Sequence, residues 1–294
     1  MILVTGASGF IGHHVVHELR ARDLPVRVLV RRPDAGLERL GAETSVGDVT
    51  DASSLRAAVA GCDAVIHLVS ILTGSSAEFE RVMSEGTRSL VAAASEAGVR
   101  RIVLMSALGL DERSRERVPY YAAKWQMEAA VAGSTLEHVI LRPSFVFGRD
   151  GGALQTFLRL ARLAPVTPIV GPGTQRIQPI WVDGLAAIVA DAVDLPAAAG
   201  RTFELGGPDI VTWNEFWQRL KRATGTRRPS VHVPFGLMRQ QARLLERLPK
   251  PPVTRDQLTM LQLGDNVVGN DEAVRTFERP LVPLDEQLRR AVKR

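Results

Sequence analysis

The amino-acid sequence predicts an α/β fold, a doubly wound parallel sheet with a smaller, helix-rich lobe towards the C-terminus. Three observations predict it. A short apolar run, Ile2 to Val4, leads through the glycine-spaced segment TGASGFIG, Thr5 to Gly12, into a helix-like stretch from Phe10 to Arg20. Apolar β-branched runs then alternate with alanine- and leucine-rich segments as far as Arg142, the pattern of a sheet covered on both faces. Beyond Arg142 the alternation loosens, and Gly148, Gly151, Gly152, Pro165, Pro168 and Gly171–Gly173 mark loops.

In chain order, strands are predicted at Ile2–Val4, Val26–Val30, Thr44–Val46, Ala64–Leu68, Arg101–Met105 and His138–Arg142. Helices are predicted at Ile11–Arg20, Gly36–Leu40, Ser53–Ala60, Ala77–Ala97 and Tyr120–Ala132. Right-handed crossovers wind such a chain into a Rossmann-like sheet, with ligands at the carboxyl ends of its strands. A helix at Val182–Val193 and a strand at Thr202–Leu205 are expected to return to the main sheet. The expected division is a dinucleotide-binding domain over 1–147, completed by about 177–206, and a substrate lobe over 148–294. No internal repeat or low-complexity segment interrupts the chain.

The bulk numbers exclude several classes. With 294 residues, 45% hydrophobic and 23% charged, the chain has material for one large domain or two ordinary ones. A single cysteine, Cys62, excludes an internal disulfide and a multi-cysteine metal site. No apolar run approaches the ~20 residues of a membrane span, and a strand starting at Ile2 leaves no room for a targeting peptide, so a cytoplasmic protein is expected. The net charge of +5, without a recognition motif, does not point to nucleic acid.

The glycine turn is the strongest chemical signal. Gly6 permits the tight turn, Gly9 lets backbone approach a pyrophosphate, and Gly12 allows close packing of the helix. With Ser8, Phe10 and Ile11 they are the candidate phosphate contacts, because free N–H groups at a helix N-terminus favour an anion. The predicted second strand ends in Arg31 and Arg32, where an NAD-specific site would carry an acid for the ribose 2′-hydroxyl. A guanidinium suits a phosphate better, so NADP(H) is favoured over NAD(H). Further candidate cofactor contacts are Asp48, placed to accept from the adenine amino group, with Val49, and then Leu68, Val69 and Ser70 beyond the fourth strand.

The chain resembles the extended and atypical short-chain dehydrogenase/reductases, the superfamily of NAD-dependent epimerases and dehydratases. Four motifs in the family's order carry the resemblance. They are TGxxGxxG; a strand ending Met105-Ser106-Ala107; YxxxK at Tyr120 and Lys124, followed by Glu128; and LRPSFVFG, Leu141 to Gly148. Two further stretches, Leu163 to Asp183 and Pro251 to Val268, are similar to the group containing the nucleotide-binding accessory subunit of respiratory complex I and its bacterial relatives. Members of that group hold NADPH, some without turnover. The resemblance implies catalytic roles for Tyr120, Lys124 and Ser106, and nicotinamide contacts at Pro143 and Val146.

Tyr120 and Lys124 stand four apart and share a helix face. In the family's chemistry the lysine bonds the cofactor ribose and favours a phenolate, while the tyrosine moves a proton alongside hydride transfer. Tyr121, three residues from Lys124, has the wrong spacing. One departure stands out. The family ends its fifth strand in two hydroxyl residues, the second polarising the substrate; here Ala107 follows Ser106, and Ser70 or Ser144 would have to donate instead.

Three further signals are weaker. His13, His14 and His17 have no third ligand at suitable spacing, so no metal is expected. Cys62 has no visible activating partner. Residues 235–250 form a basic amphipathic pattern, with Leu237, Leu244, Leu245 and Leu248 on one face and Arg239, Arg243 and Arg247 on another, suited to a lid or to contact with a membrane surface or protein partner. The expected function is hydride transfer between NADP(H) and a small apolar carbonyl or quinone-like substrate, a polarity inferred from Phe145, Phe147, Phe157, Ile180 and Trp181. A cofactor-holding structural subunit is one alternative. A nucleotide-sugar epimerase or dehydratase, with Arg176 as a phosphate ligand, is the other.

Overall fold

A computed structural model describes residues 1–246 and 253–293. The first part of the chain runs β1 (Ile2–Thr5), α1 (Phe10–Ala21), β2 (Val26–Val30), α2 (Ala35–Arg39), β3 (Glu43–Val46), α3 (Ala52–Val59) and β4 (Ala64–His67). There follow α4 (Ser76–Phe79), α5 (Gly86–Glu96), β5 (Arg101–Met105), α6 (Glu112–Arg117), α7 (Pro119–Ala132) and β6 (Glu137–Pro143). Beyond these come β7 (Val146–Phe147), α8 (Gly152–Leu163), β8 (Thr167–Val170), β9 (Arg176–Ile177), β10 (Ile180–Trp181), α9 (Val182–Ala192), β11 (Arg201–Leu205) and β12 (Val211–Thr212). The lobe ends with α10 (Trp213–Thr224), β13 (Ser230–Val233), α11 (Phe235–Leu245), α12 (Arg255–Gln262), α13 (Asp271–Phe277) and α14 (Leu284–Val292).

Seven strands form one sheet in the order β11-β6-β5-β4-β1-β2-β3, and every pair in it is parallel. Strand side chains alternate between two cores. Val4, Ile66 and Val103 face α1 and α9, while Leu3, Val65 and Ile102 face α3, α5 and α7. The strand order reverses between β1 and β4, which opens a crevice at their carboxyl ends. The helix expected over 77–97 forms as one continuous helical run, Ser76–Glu96, with a π-helical stretch, Glu80–Glu85, between α4 and α5. From the first turn of α5 the Thr87 hydroxyl donates back to the Met83 carbonyl of that stretch.

A third core fills the lobe. Phe147, Phe157, Trp213, Phe216 and Trp217 pack with ring centroids 5.3–6.4 Å apart. The aromatic residues expected to line a substrate mouth are thereby placed differently. Phe147, Phe157 and Trp181 belong to this interior, Ile180 to the core beneath α9, and Phe145 lies against Trp213.

The glycine turn is built by close approach. Gly6 has φ +75°, and a Cβ there would stand 2.9 Å from backbone atoms of Leu68 and Val69. A Cβ on Gly12 would come within 2.6 Å of the Ala7 Cα, so the glycine lets α1 close on its own turn rather than on the sheet. Gly9 differs: its Cβ would meet only the Gly6 carbonyl, at 3.2 Å. Gly12→Ala should therefore lower the thermal midpoint sharply, whereas Gly9→Ala should leave it nearly unchanged; equal midpoints for the two variants would contradict this geometry.

Candidate active site

The crevice between β1 and β4 is held by a buried row of hydrogen bonds. His67 closes β4, with Nδ1 2.6 Å from the Thr5 hydroxyl and Nε2 2.9 Å from the Thr87 hydroxyl. Thr87 spends its proton on Met83, so it accepts from His67 Nε2–H, and Nδ1 accepts from Thr5. Burial, with the Lys124 charge nearby, pushes His67 down to about 3 and keeps the ring neutral.

Beside this row lies an open cradle. Ser8 and Gly9 are exposed, and Phe10, Ile11 and Gly12 begin α1, a 12-residue helix with no side-chain cap and no acid in its first turn. Its N-terminal amides and dipole therefore suit a phosphate, and the space beside Gly9 is what a pyrophosphate would fill. The Phe10 ring itself faces away, into room left by Gly148, Gly151 and Gly152. His14 fastens that loop, contacting Asp183 at 2.6 Å and Asp150 at 3.0 Å, and its pKa is raised chiefly by the bond to Asp183.

Arg31 and Arg32 follow β2, are exposed, and make no ion pair among the described residues. The nearest acid in sequence, Asp34, caps α2 by accepting from Gly36 and Leu37 and meets His13 at 3.3 Å. Asp48 accepts from the Thr50 amide and hydroxyl, leaving its other oxygen uncommitted among the described residues. Val49 is buried, and its methyl group lies where a side chain on Gly86 would need room. Leu68 and Val69 are half-buried against the turn, and Ser70 is exposed.

Across the crevice, α7 places both tyrosines and the lysine. Tyr121 donates to the Leu108 carbonyl at 3.1 Å and packs as a structural residue. Tyr120 is buried; desolvation raises its pKa, and the Ser70 hydroxyl nearby opposes the rise. Lys124 is only 1% exposed, its Nζ lies 5.8 Å from the Tyr120 ring centroid, and it donates to the Met105 carbonyl at 2.7 Å. Desolvation lowers it to about 7, against a smaller upward pull from Glu128, whose carboxylate is held by Arg142 at 2.6 Å.

The Ser106 hydroxyl is buried with no partner among the described residues, while Ala107 packs against the core that contains Tyr120. Pro143 ends β6, Val146 begins β7 opposite Ile180, and Ser144 between them donates to the Asn266 amide oxygen at 2.7 Å. Asn266 belongs to a strap the sequence reading missed. The Val268 amide donates to Gln178, and the Asn270 side chain spans Gly206 and Gly207, which holds residues 264–270 over the ends of β6 and β11. Closely spaced Gly264, Asn266, Gly269 and Asn270 are the signal that marked it. Arg176 is engaged by Asp265 at 2.7 Å.

Residues 6–160 match the NAD(P)H-binding family, and residues 112–244 match the RmlD substrate binding domain. The chain belongs to the NAD(P)H-binding family. It is 28% identical over 299 residues, covering 95% of this chain and 73% of the relative, to mitochondrial NADH dehydrogenase [ubiquinone] 1 alpha subcomplex subunit 9 of Arabidopsis thaliana. It is 29% identical over 311 residues, covering 92% and 89%, to 4-hydroxy-2-methyl-3-oxo-4-farnesyl-3,4-dihydroquinoline-1-oxide ketoreductase of Stigmatella aurantiaca. Its fold superposes on an NADPH-dependent quinone oxidoreductase of Escherichia coli with a TM-score of 0.78, 21% identity and 98% of each chain covered. The expected resemblance to short-chain dehydrogenase/reductases and complex I subunit relatives therefore stands, as does the Rossmann-like fold.

No helix among the described residues is long and apolar enough to cross a membrane. Of the basic amphipathic pattern, Arg247 and Leu248 lie outside the described residues; Leu237 and Leu244 are exposed and Leu245 half-buried.

Lys124 yields a prediction with a definite sign. A lysine lowered from 10.5 to about 7 destabilises the fold fully below about pH 7, and the penalty fades as pH rises towards 10.5. Lys124→Met should raise the thermal midpoint of the cofactor-free protein by several degrees at pH 6 and by little at pH 10. A gain that is the same at both pH values would refute the assignment.

Proposed function

We propose that this protein is an NADP(H)-dependent oxidoreductase that reduces a small apolar carbonyl or quinone-like substrate. Lys124 carries the proposal: an ammonium group sealed in the interior keeps only the Met105 carbonyl among the described residues, with two donors uncommitted beside Tyr120. A buried cation so poorly matched to its surroundings suits a site completed by a ligand.

NADPH bound in the cradle would supply the hydride. Tyr120, kept protonated by burial, donates its phenolic proton to the substrate oxygen as negative charge develops there. Lys124 then stabilises the phenolate left on Tyr120, and the Ser106 hydroxyl is a further donor available inside the site. Ala107, half-buried Ile71 and Met260 pack against the same core as Tyr120, which favours an apolar substrate. Arg31 and Arg32, without an acidic partner among the described residues while Asp34 is spent on capping, favour NADP(H) over NAD(H).

Ala107 favours a second reading, in which the protein holds NADPH as part of its fold and turns nothing over. The sugar-nucleotide alternative is weakened because Arg176 is already neutralised by Asp265.

One experiment separates the first two readings. NADPH deuterated at the transferable C4 position is incubated with the protein and a small-molecule extract. Label should enter a metabolite with the wild type and fall by about 10²–10⁴ in rate with Tyr120→Phe; cofactor that stays bound with its label intact would establish the holding role. Separately, Arg31→Asp combined with Arg32→Ala should weaken NADPH by about a hundredfold and NADH little, measured by cofactor fluorescence. Equal losses for both would sink the 2′-phosphate assignment.

A further inference from the structure

Two segments of the lobe carry no carboxylate. Residues 151–182 contain three arginines and neither Asp nor Glu; residues 216–245 contain seven lysines and arginines and again neither. The fold brings these segments together. The Arg228 guanidinium donates to the Ala164 carbonyl, Thr226 donates to Ala161 at 3.1 Å, and β8 pairs with β13, Pro168 opposite Val231 and Val170 opposite Val233. The Phe235 ring at the start of α11 fills the space a side chain on Gly171 would need. Of the ten cations, Arg176 and Arg219 meet a carboxylate; the other eight meet none among the described residues.

The same surface exposes apolar side chains. Thr167 and Ile169 turn inwards from β8, leaving Pro168 and Val170 on the other face beside Val231 and Val233, which bear no polar side-chain group. Val231 is 45% exposed, Leu163 at the end of α8 is 73% exposed, and Leu237 on α11 is 49% exposed. Arg162, Arg227, Arg239 and Arg243 are exposed on the elements that carry these residues or adjoin them.

We propose that this face, made by the end of α8, the β8–β13 pair and α11, docks on an anionic lipid bilayer. Cationic heads with apolar side chains between them match the headgroup boundary, where arginine meets phosphate and leucine or valine enters the acyl region. A second copy of this chain would set arginine against arginine. A nucleic acid would be served by exposed aromatic rings, and Trp213, Phe216 and Trp217 of this lobe are buried. The proposal is independent of the catalytic reading, since none of these residues lies in the crevice.

The test is co-sedimentation of the full chain with vesicles of phosphatidylcholine alone or mixed with phosphatidylglycerol, at low and high salt. The unaltered protein should pellet with the mixed vesicles and be released by salt. Arg162→Glu, Arg227→Glu and Arg243→Glu together should weaken binding by about a hundredfold or more. Leu163→Ser with Leu237→Ser should weaken it at unchanged charge. Each variant is checked for an unchanged thermal midpoint; if one fails to fold, the lipid and salt dependence of the unaltered protein decides. No pelleting with any vesicle, equal pelleting with neutral ones, or binding to heparin or RNA without vesicle binding would overturn the proposal.

Discussion

The row Thr5–His67–Thr87 is the constraint on which the site depends. It joins the last residue of β1, the last residue of β4 and the first turn of α5 where the sheet changes winding direction. A neutral imidazole suits this place because it accepts on one nitrogen and donates on the other, matching one hydroxyl that still has its proton and one that has spent it. A charged ring would have to donate to Thr5 as well, beside the Lys124 ammonium. The π-helical turn before α5 belongs to the same arrangement, since Thr87 reaches back to Met83 from there. The glycine turn, which leaves β1 one residue after Thr5, inherits its position from this row.

Lys124 opposes that rigidity with a cost. Removing an ammonium from water without a carboxylate partner is expensive, and a single carbonyl does not offset it. The Ser106 hydroxyl adds a second buried polar group without a partner among the described residues. Lys124 stands on α7 and Ser106 directly follows β5, the two elements that the site reading joins. A ligand that satisfies those donors gains affinity from the mismatch and stabilises the fold by mass action, whether or not a reaction follows. Stability conferred by a nicotinamide cofactor therefore does not by itself separate an enzyme from a cofactor-holding subunit; the fate of the hydride does.

Much of the sheet was legible because its signals are local. The limits of β2 and β5 follow directly from VRVLV and RIVLM, and β1, β4 and β6 differ from expectation by a residue or so at their ends. What stayed hidden depends on contacts distant in sequence. Phe147, Phe157 and Trp181 read as a substrate mouth because aromatic clustering does not say which way a face turns; α8, α10 and α14 bury them. The bond between His67 and Thr87 joins residues twenty apart. The short helix α6 was missed because Glu112–Arg117 is almost wholly charged and has no apolar period, so its capping by Asp111 holds what composition does not announce. The strap over 264–270 owes its place to partners near residues 144, 178 and 206.

Ala107 is the substitution that weighs most against turnover, and the geometry reduces that weight. A hydroxyl at this position would polarise the substrate oxygen, and losing one such donor costs a rate factor of about 10²–10³. It would leave the proposed proton source and the proposed counter-charge untouched, because Tyr120 and Lys124 stand on α7 and not on the strand end. A quinone also needs such polarisation less than a simple ketone, since reduction gives an aromatic, delocalised oxyanion. Under the proposed reading, an intact tyrosine and lysine, an alanine at 107 and apolar residues packed around them would favour readily reduced, apolar acceptors. For such acceptors, excluding water and supplying a proton contribute more than a second donor at the carbonyl.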